Sequence, residues 1–120
     1  MTKKIEMLFL TLAIALFFRL PLAQGQLSCT TPEAITTSIM EVYPGTTVHA
    51  ELQGAKAQHV MNEVAKIAQD TPVDTDYAIV FTHPKKTTYF AFFFKDGCYN
   101  MARALIRHDD YDKMSSEPPI

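Results

Sequence analysis

The sequence predicts an α+β fold of order α-β-α-β-β-β, in which a small antiparallel sheet packs against one amphipathic helix. Three observations carry this prediction. Apolar residues recur at helical spacing between Ala55 and Gln69. Apolar, β-branched and aromatic residues, interrupted by turn-forming residues, fill the segment from Tyr77 to Leu105. Asp96-Gly97 separates two of these apolar runs, as is typical of a tight β-hairpin, because both residues tolerate a positive φ.

The first helix is predicted to begin after Thr31, a residue type suited to the N-cap. Ile35, Ile39 and Val42 follow at spacings of four and three, which places them on one helical face. Pro44-Gly45 predicts the end of this helix, because neither residue continues a helix well.

A strand and the long helix are predicted next. Thr46 to Gln53 alternates apolar and polar residues, which is the period of a strand with one wet face. The helix follows Gly54, and Pro72 excludes its continuation. Its regular apolar spacing from Ala55 to Gln69 makes it the clearest element of the sequence.

The remaining three strands are predicted to form a β-meander over Tyr77 to His83, Thr88 to Lys95 and Cys98 to Leu105. A two-residue turn at Asp96-Gly97 sets the register of the last two strands. The predicted pairs are Lys95 with Cys98, Phe94 with Tyr99, Phe93 with Asn100, Phe92 with Met101, and Phe90 with Arg103. A regular turn before Thr88 also pairs Phe81 with Phe90 and Ile79 with Phe92.

Side-chain alternation separates two faces of this sheet. The face with large side chains carries Tyr77, Ile79, Phe81, Phe90, Phe92, Phe94, Tyr99 and Met101. We expect this aromatic face to form the core beneath the long helix. The other face is smaller and more mixed, and Tyr89, Ala91, Phe93 and Asn100 are its candidate interaction residues. Either the first helix or another molecule is expected to cover them.

The N-terminus has the pattern of a cleavable secretory signal over residues 1–25. Lys3 and Lys4 precede an apolar run from Met7 to Phe18, and Ala23-Gln24-Gly25 supplies the small-x-small end. We expect cleavage near Gly25 and a periplasmic or secreted product. An uncleaved anchor is the alternative, although the run is shorter than the roughly 20 residues that span a bilayer.

Composition limits the function classes. A chain of 120 residues with 48% apolar and 20% charged residues predicts one globular domain, here residues 26–107. Without Lys3, Lys4, Arg19 and Glu6, 8 basic and 12 acidic residues remain. This negative balance argues against a nucleic-acid partner, which would require a basic patch. No motif predicts a cofactor.

Cys29 and Cys98 are predicted to form a structural disulfide. Two cysteines in a small exported chain most often pair, because the compartment is oxidising. The alternatives are two free thiols, an intermolecular bond, or a reactive Cys98 thiol at the hairpin corner. A reactive Cys98 lacks a neighbouring base or a Cys-x-x-Cys pattern to form the thiolate.

Two features carry the enzymatic alternative. His108, Asp109, Asp110 and Asp112 group an imidazole with three carboxylates, and such oxygen ligands suit hard cations. His83 is the second candidate, as a catalytic or metal-binding residue. The acidic group lacks the glycine and the spacing of a calcium loop. We therefore predict a flexible acidic C-terminal tail over residues 108–120.

The leading functional hypothesis is a non-catalytic, envelope-associated or secreted module that binds another protein or itself. It rests on surplus apolar surface at the second sheet face or an edge strand. A membrane contact is expected only through the leader, if that segment is retained. The alternatives are a small metal-dependent enzyme and a carrier of a small ligand or lipid with a cavity between helix and sheet.

Overall fold

A computed structural model of the protein describes residues 29–118, and the predicted signal segment, residues 1–25, lies outside the described residues. The elements in chain order are α1 (Pro32–Val42), β1 (Thr47–Gln53), α2 (Ala55–Ala68), β2 (Tyr77–Thr82), β3 (Thr88–Lys95), β4 (Cys98–Arg107) and α3 (His108–Ser116). The four strands form one antiparallel sheet of order β1-β2-β3-β4. Within residues 29–118, no helix is long and apolar enough to cross a membrane.

The α+β class and the order of the first six elements are confirmed. The prediction of a flexible tail over residues 108–120 is wrong for residues 108–116, because His108–Ser116 forms α3. Tyr111 and Met114, three residues apart on one helical face, are buried. Two well-placed apolar anchors thus hold a helix whose other side chains are mostly polar.

The long helix packs on the face opposite to the predicted one. Ala57, Val60 and Met61 of α2 join one buried cluster with Val80 and Phe93 of the sheet. This cluster also contains Tyr111 and Met114 of α3, and the small sheet residues Ala78 and Ala91. Alanine side chains let the helix approach the strands closely, so the smaller face accommodates two helices.

The aromatic face is instead covered by α1. Ile35 and Ile39 pack against a second buried cluster, which consists of Ile79, Phe81, Phe92 and Phe94. None of the side chains of α1 is itself fully buried. The helix therefore rests on the sheet by one narrow stripe, and most of its surface faces solvent.

The ends of α1 are attached more firmly than its middle. Thr31 Oγ1 accepts a hydrogen bond from the Ala34 backbone at 3.2 Å, as an N-cap does. The Tyr99 N–H donates to the Thr30 carbonyl at 2.8 Å, beside the cysteine pair at the start of the helix. After the helix, Thr46 donates from its N–H and its hydroxyl to the Tyr43 carbonyl.

The strand register is confirmed between β2 and β3 and partly wrong between β3 and β4. Lys95 pairs with Cys98 and Phe94 with Tyr99, as predicted. The predicted pairs of Phe93, Phe92 and Phe90 are displaced by two residues, and the observed pairs are Phe93 with Ala102, Phe92 with Arg103 and Phe90 with Leu105. The insertion is a bulge at Asn100 and Met101, and Met101 has a φ of 65°. Two extra residues leave the side-chain alternation of the strand unchanged beyond the bulge.

Candidate functional site

The predicted interaction face is occupied by the protein's own helices. Ala91 and Phe93 are 0% exposed in the cluster beneath α2 and α3, and Tyr89 packs against the same cluster. Asn100 Nδ2 donates to the Asp74 carbonyl at 2.7 Å, which holds the bulge. Ala91 and Phe93 are therefore not available to a partner in this structure, whereas Tyr89 and Asn100 are half-buried.

The cysteine pair predicted from the compartment is present. Cys29 and Cys98 are joined by a disulfide with a Cα–Cα distance of 5.0 Å. The bond joins Cys29, which lies shortly before α1, to Cys98, the first residue of β4. Its role in the described part of the protein is to tether α1 across the aromatic face.

His83 braces the loop between α1 and β1. Its Nδ1 accepts a hydrogen bond from the Lys85 N–H at 3.0 Å, and its Nε2 donates to the Pro44 carbonyl at 3.0 Å. Because an N–H can only donate and a carbonyl can only accept, these partners define the neutral tautomer. Gly45 has a φ of 96°, and a Cβ at this position would lie 3.4 Å from the imidazole of His83. Both ring nitrogens of His83 are thus engaged in backbone contacts.

His108 belongs to an aromatic stack rather than to a cluster of ligands. The Tyr89 ring lies between His49, at 4.3 Å between centroids, and His108, at 4.1 Å. Tyr111 meets the Tyr89 ring edge-on at 5.2 Å. The Nε2 atom of His108 is buried without a hydrogen-bond partner in the described structure.

The carboxylates that follow His108 point elsewhere. Asp109 and Asp110 lie 4.0 Å and 3.9 Å from the Arg107 guanidinium, and Asp112 is exposed. In the described range, no three His, Cys, Asp or Glu side chains are grouped so that they could hold a metal ion. The structure therefore does not assemble the predicted acidic cluster around one point.

Three phenols keep their protons more tightly than usual. Burial raises the pKa of Tyr77, and its hydrogen bond to the Glu51 carboxylate adds to this effect, which brings the pKa to about 12. Burial also raises the pKa of Tyr99 and of Tyr111. Tyr77, Tyr99 and Tyr111 are therefore protonated at neutral pH.

An unpartnered surface lies at the edge of the sheet formed by β4. This strand pairs with β3 on one side, and no strand among residues 29–118 pairs with its outer side. Beyond the bulge, pairing with β3 is regular from Ala102 to Arg107. Leu105 lies in this regular stretch and is 65% exposed. We call the outer side of residues 102–107 the β4 edge.

An apolar groove runs beside the β4 edge. It has a volume of about 330 Å³ and lies between residues 103–107 and the side chains of Val64, Ile67 and Ala68 on α2. Ile67, near the C-terminal end of α2, is 63% exposed. The groove thus offers uncovered apolar surface on one side of an unpaired strand.

The β4 edge is basic on its α1-facing side. Arg103, Leu105 and Arg107 alternate with the buried or half-buried residues of the strand. No carboxylate of the described residues lies within 4.0 Å of the Arg103 guanidinium, whereas Arg107 meets Asp109 and Asp110. An incoming segment with acidic side chains would find an uncompensated positive charge there.

The other edge of the sheet is less regular. A bulge at His49 divides β1 into two short paired stretches. Bulges blunt sheet edges because they interrupt the row of free backbone groups. The β4 edge is therefore the better-ordered of the two edges for pairing with another chain.

Comparison with known proteins found no matching family model, no matching curated protein and no matching solved structure. The function is accordingly inferred from the geometry of the protein itself.

Proposed function

We propose that the protein is an exported, non-catalytic protein-binding module that adds an extended partner segment to its sheet at the β4 edge. The observation that carries this proposal is the regular, unpaired outer side of β4 beside the exposed Leu105. Strand addition needs a free row of backbone donors and acceptors together with pockets for alternate side chains. The β4 edge and the groove against α2 supply both.

The energetics favour a modest but specific interaction. Each backbone hydrogen bond made at an edge contributes about 0.5 to 1.5 kcal/mol net, since water is displaced from both partners. Burial of Leu105 and Ile67, both largely exposed, adds apolar contact on the two sides of the strand. A short segment of five or six residues therefore suffices to engage residues 102–107.

The charge of the β4 edge favours an acidic partner over a second copy of this chain. An antiparallel self-pairing centred on Leu105 would place Arg103 opposite Arg107. Like charges directly opposite each other destabilise a strand pair. A partner segment with Asp or Glu opposite Arg103 meets an arginine that has no carboxylate neighbour in the described range, whereas Arg107 already lies beside Asp109 and Asp110.

The interaction can be tested by panning the disulfide-bonded protein against a displayed library of unstructured peptides. We expect selected peptides to alternate apolar and acidic residues and to shift the backbone NMR signals of residues 102–107. Leu105→Ser should weaken binding by about 1 to 2 kcal/mol, because a largely exposed leucine would become buried in the complex.

Val42→Ser is the matched control, because Val42 on α1 is also 65% exposed but belongs neither to β4 nor to the groove beside it. Charge reversal in Arg103→Glu should weaken binding of acidic peptides, whereas Arg103→Lys should largely preserve it. Equal binding by the Leu105→Ser and Val42→Ser variants, or signal changes confined to β1, would contradict the proposal.

Export is the second part of the proposal. The disulfide supports it, because such bonds persist in oxidising compartments. The intact mass of the protein isolated from its producing cells, alkylated without reductant, should correspond to a chain that begins at Gln26 with no free thiol. A mass that retains residues 1–25 together with two alkylated cysteines would refute export.

A further inference from the structure

A separate apolar cavity lies between the end of α1 and the aromatic face of the sheet. Its volume is about 180 Å³, and Phe81 and Phe90 of the sheet, Tyr43 after α1 and Leu105 of β4 contribute to its wall. Phe81 is buried, whereas Phe90 is half-buried and Tyr43 and Leu105 are exposed. The cavity is therefore open to solvent while much of its lining is hydrocarbon.

The opening exists because α1 does not reach this part of the sheet. Ile35 and Ile39 contact the buried aromatic cluster, and the helix ends at Val42, which is exposed. The chain then turns through Pro44 and Gly45, where His83 holds it. This loop and the β2–β3 turn form the rim of the cavity, and the hydrogen bond between His83 and the Pro44 carbonyl joins them.

The chemistry of the rim selects an anion. Lys86 lines the cavity, and its ammonium lies 6.0 Å from the centroid of the Tyr43 ring. No Asp or Glu in the described part of the protein lies within 4.0 Å of this ammonium. Thr82 and Thr88 add hydroxyl groups to the same lining. A carboxylate at the rim would pair with Lys86 while its apolar body contacts the phenylalanines.

The volume limits the ligand to one ring or a short chain. An apolar protein cavity of about 150 Å³ is large enough to hold benzene. We propose that this cavity binds a small apolar carboxylate, such as an arylacetic or medium-chain fatty acid, with its carboxylate at Lys86. The cavity shares Leu105 with the β4 edge, but its remaining lining belongs to other parts of the fold, and carboxylate binding at Lys86 does not depend on the proposed protein partner.

The test is an NMR titration of the disulfide-bonded, ¹⁵N-labelled protein with phenylacetate and with hexanoate, each against its neutral alcohol, 2-phenylethanol or hexanol. We expect saturable shifts of the backbone signals of Thr46, Thr88 and Phe90 with the acids. The alcohols should bind about threefold to fivefold more weakly, as for the loss of one exposed ion pair.

Lys86→Gln should reduce the affinity for the acids to that of the alcohols, and the adjacent Lys85→Gln is the matched control that should leave it unchanged. Both lysines are exposed, so neither substitution is expected to disturb folding. Failure of both acids to produce saturable shifts at the cavity overturns the proposal. It is equally overturned if acids and alcohols bind alike, or if the two lysine variants behave identically.

Discussion

Phe93→Ala is expected to lower the free energy of unfolding by about 3 to 5 kcal/mol, the usual cost of truncating a buried phenylalanine. Phe93 lies in the middle of β3 and packs against the cluster that α2 and α3 share. Its removal leaves a void between the sheet and two helices at once, and neighbouring strands on both sides prevent β3 from moving to fill it. A loss of this size is a large part of the total stability of a small domain.

The measurement is a urea melt followed by circular dichroism on the oxidised protein. Met101→Ala is the control, because Met101 is 83% exposed in the bulge and should change stability by less than about 0.5 kcal/mol. Phe92→Ala, on the opposite face, should cost no more than Phe93→Ala, since the helix above Phe92 packs through a narrow stripe. A clearly larger loss for Phe92→Ala would mean that α2 covers the aromatic face after all.

Removal of the disulfide is expected to destabilise the protein by about 4 kcal/mol on the chain-entropy model, because the bond closes a loop between residues 69 apart. Most of the remaining structure should persist, since α2, α3 and the sheet form a cluster that does not include α1. The effect should be concentrated in α1, which loses its attachment at Cys29 and buries no side chain of its own.

Hydrogen exchange of the Cys29→Ser/Cys98→Ser variant gives the local readout. We expect the amides of α1 to lose protection before those of α2, and a hydrophobic dye to bind the uncovered aromatic face. Reduction of the wild-type protein should reproduce both effects. Retained protection of α1 with an unchanged urea midpoint would show that the bond does not hold the helix in place.

The elements of this fold could be predicted from local signals. The spacing of apolar residues from Ala55 to Gln69, the Asp96-Gly97 turn and the alternation within β2 and β3 are all properties of neighbouring residues. The disulfide followed from compartment and cysteine number, and the structure confirms it.

The face covered by each helix could not be predicted in the same way. Side-chain alternation assigns the residues of a strand to two faces of the sheet, but in β3 both faces are apolar. The local sequence does not indicate which helix packs on which face. Side-chain size favours the aromatic face as the one beneath α2, whereas the alanines of the other face permit closer helix packing. The β4 bulge depends on Asn100 binding the distant Asp74 carbonyl, which strand periodicity does not report.

The candidate sites were also hidden for a physical reason. Leu105 and Arg103 look like ordinary strand residues, and their importance arises from the position of β4 at the edge of the sheet. The one available signal was the pattern Arg103-x-Leu105-x-Arg107, which places charge and apolar surface on the same side of one strand. Similarly, α3 was missed because only Tyr111 and Met114 mark its buried side.

The position of the two cysteines also orders events during biosynthesis. Cys29 leads the described domain, and Cys98 arrives only with the fourth strand. A chain that emerges N-terminus first therefore cannot form its native covalent link until almost the whole sheet has been delivered. Until then the phenylalanines beneath α1 lack the bond that holds this helix over them, so the incomplete chain is most prone to aggregation and proteolysis just before the disulfide forms.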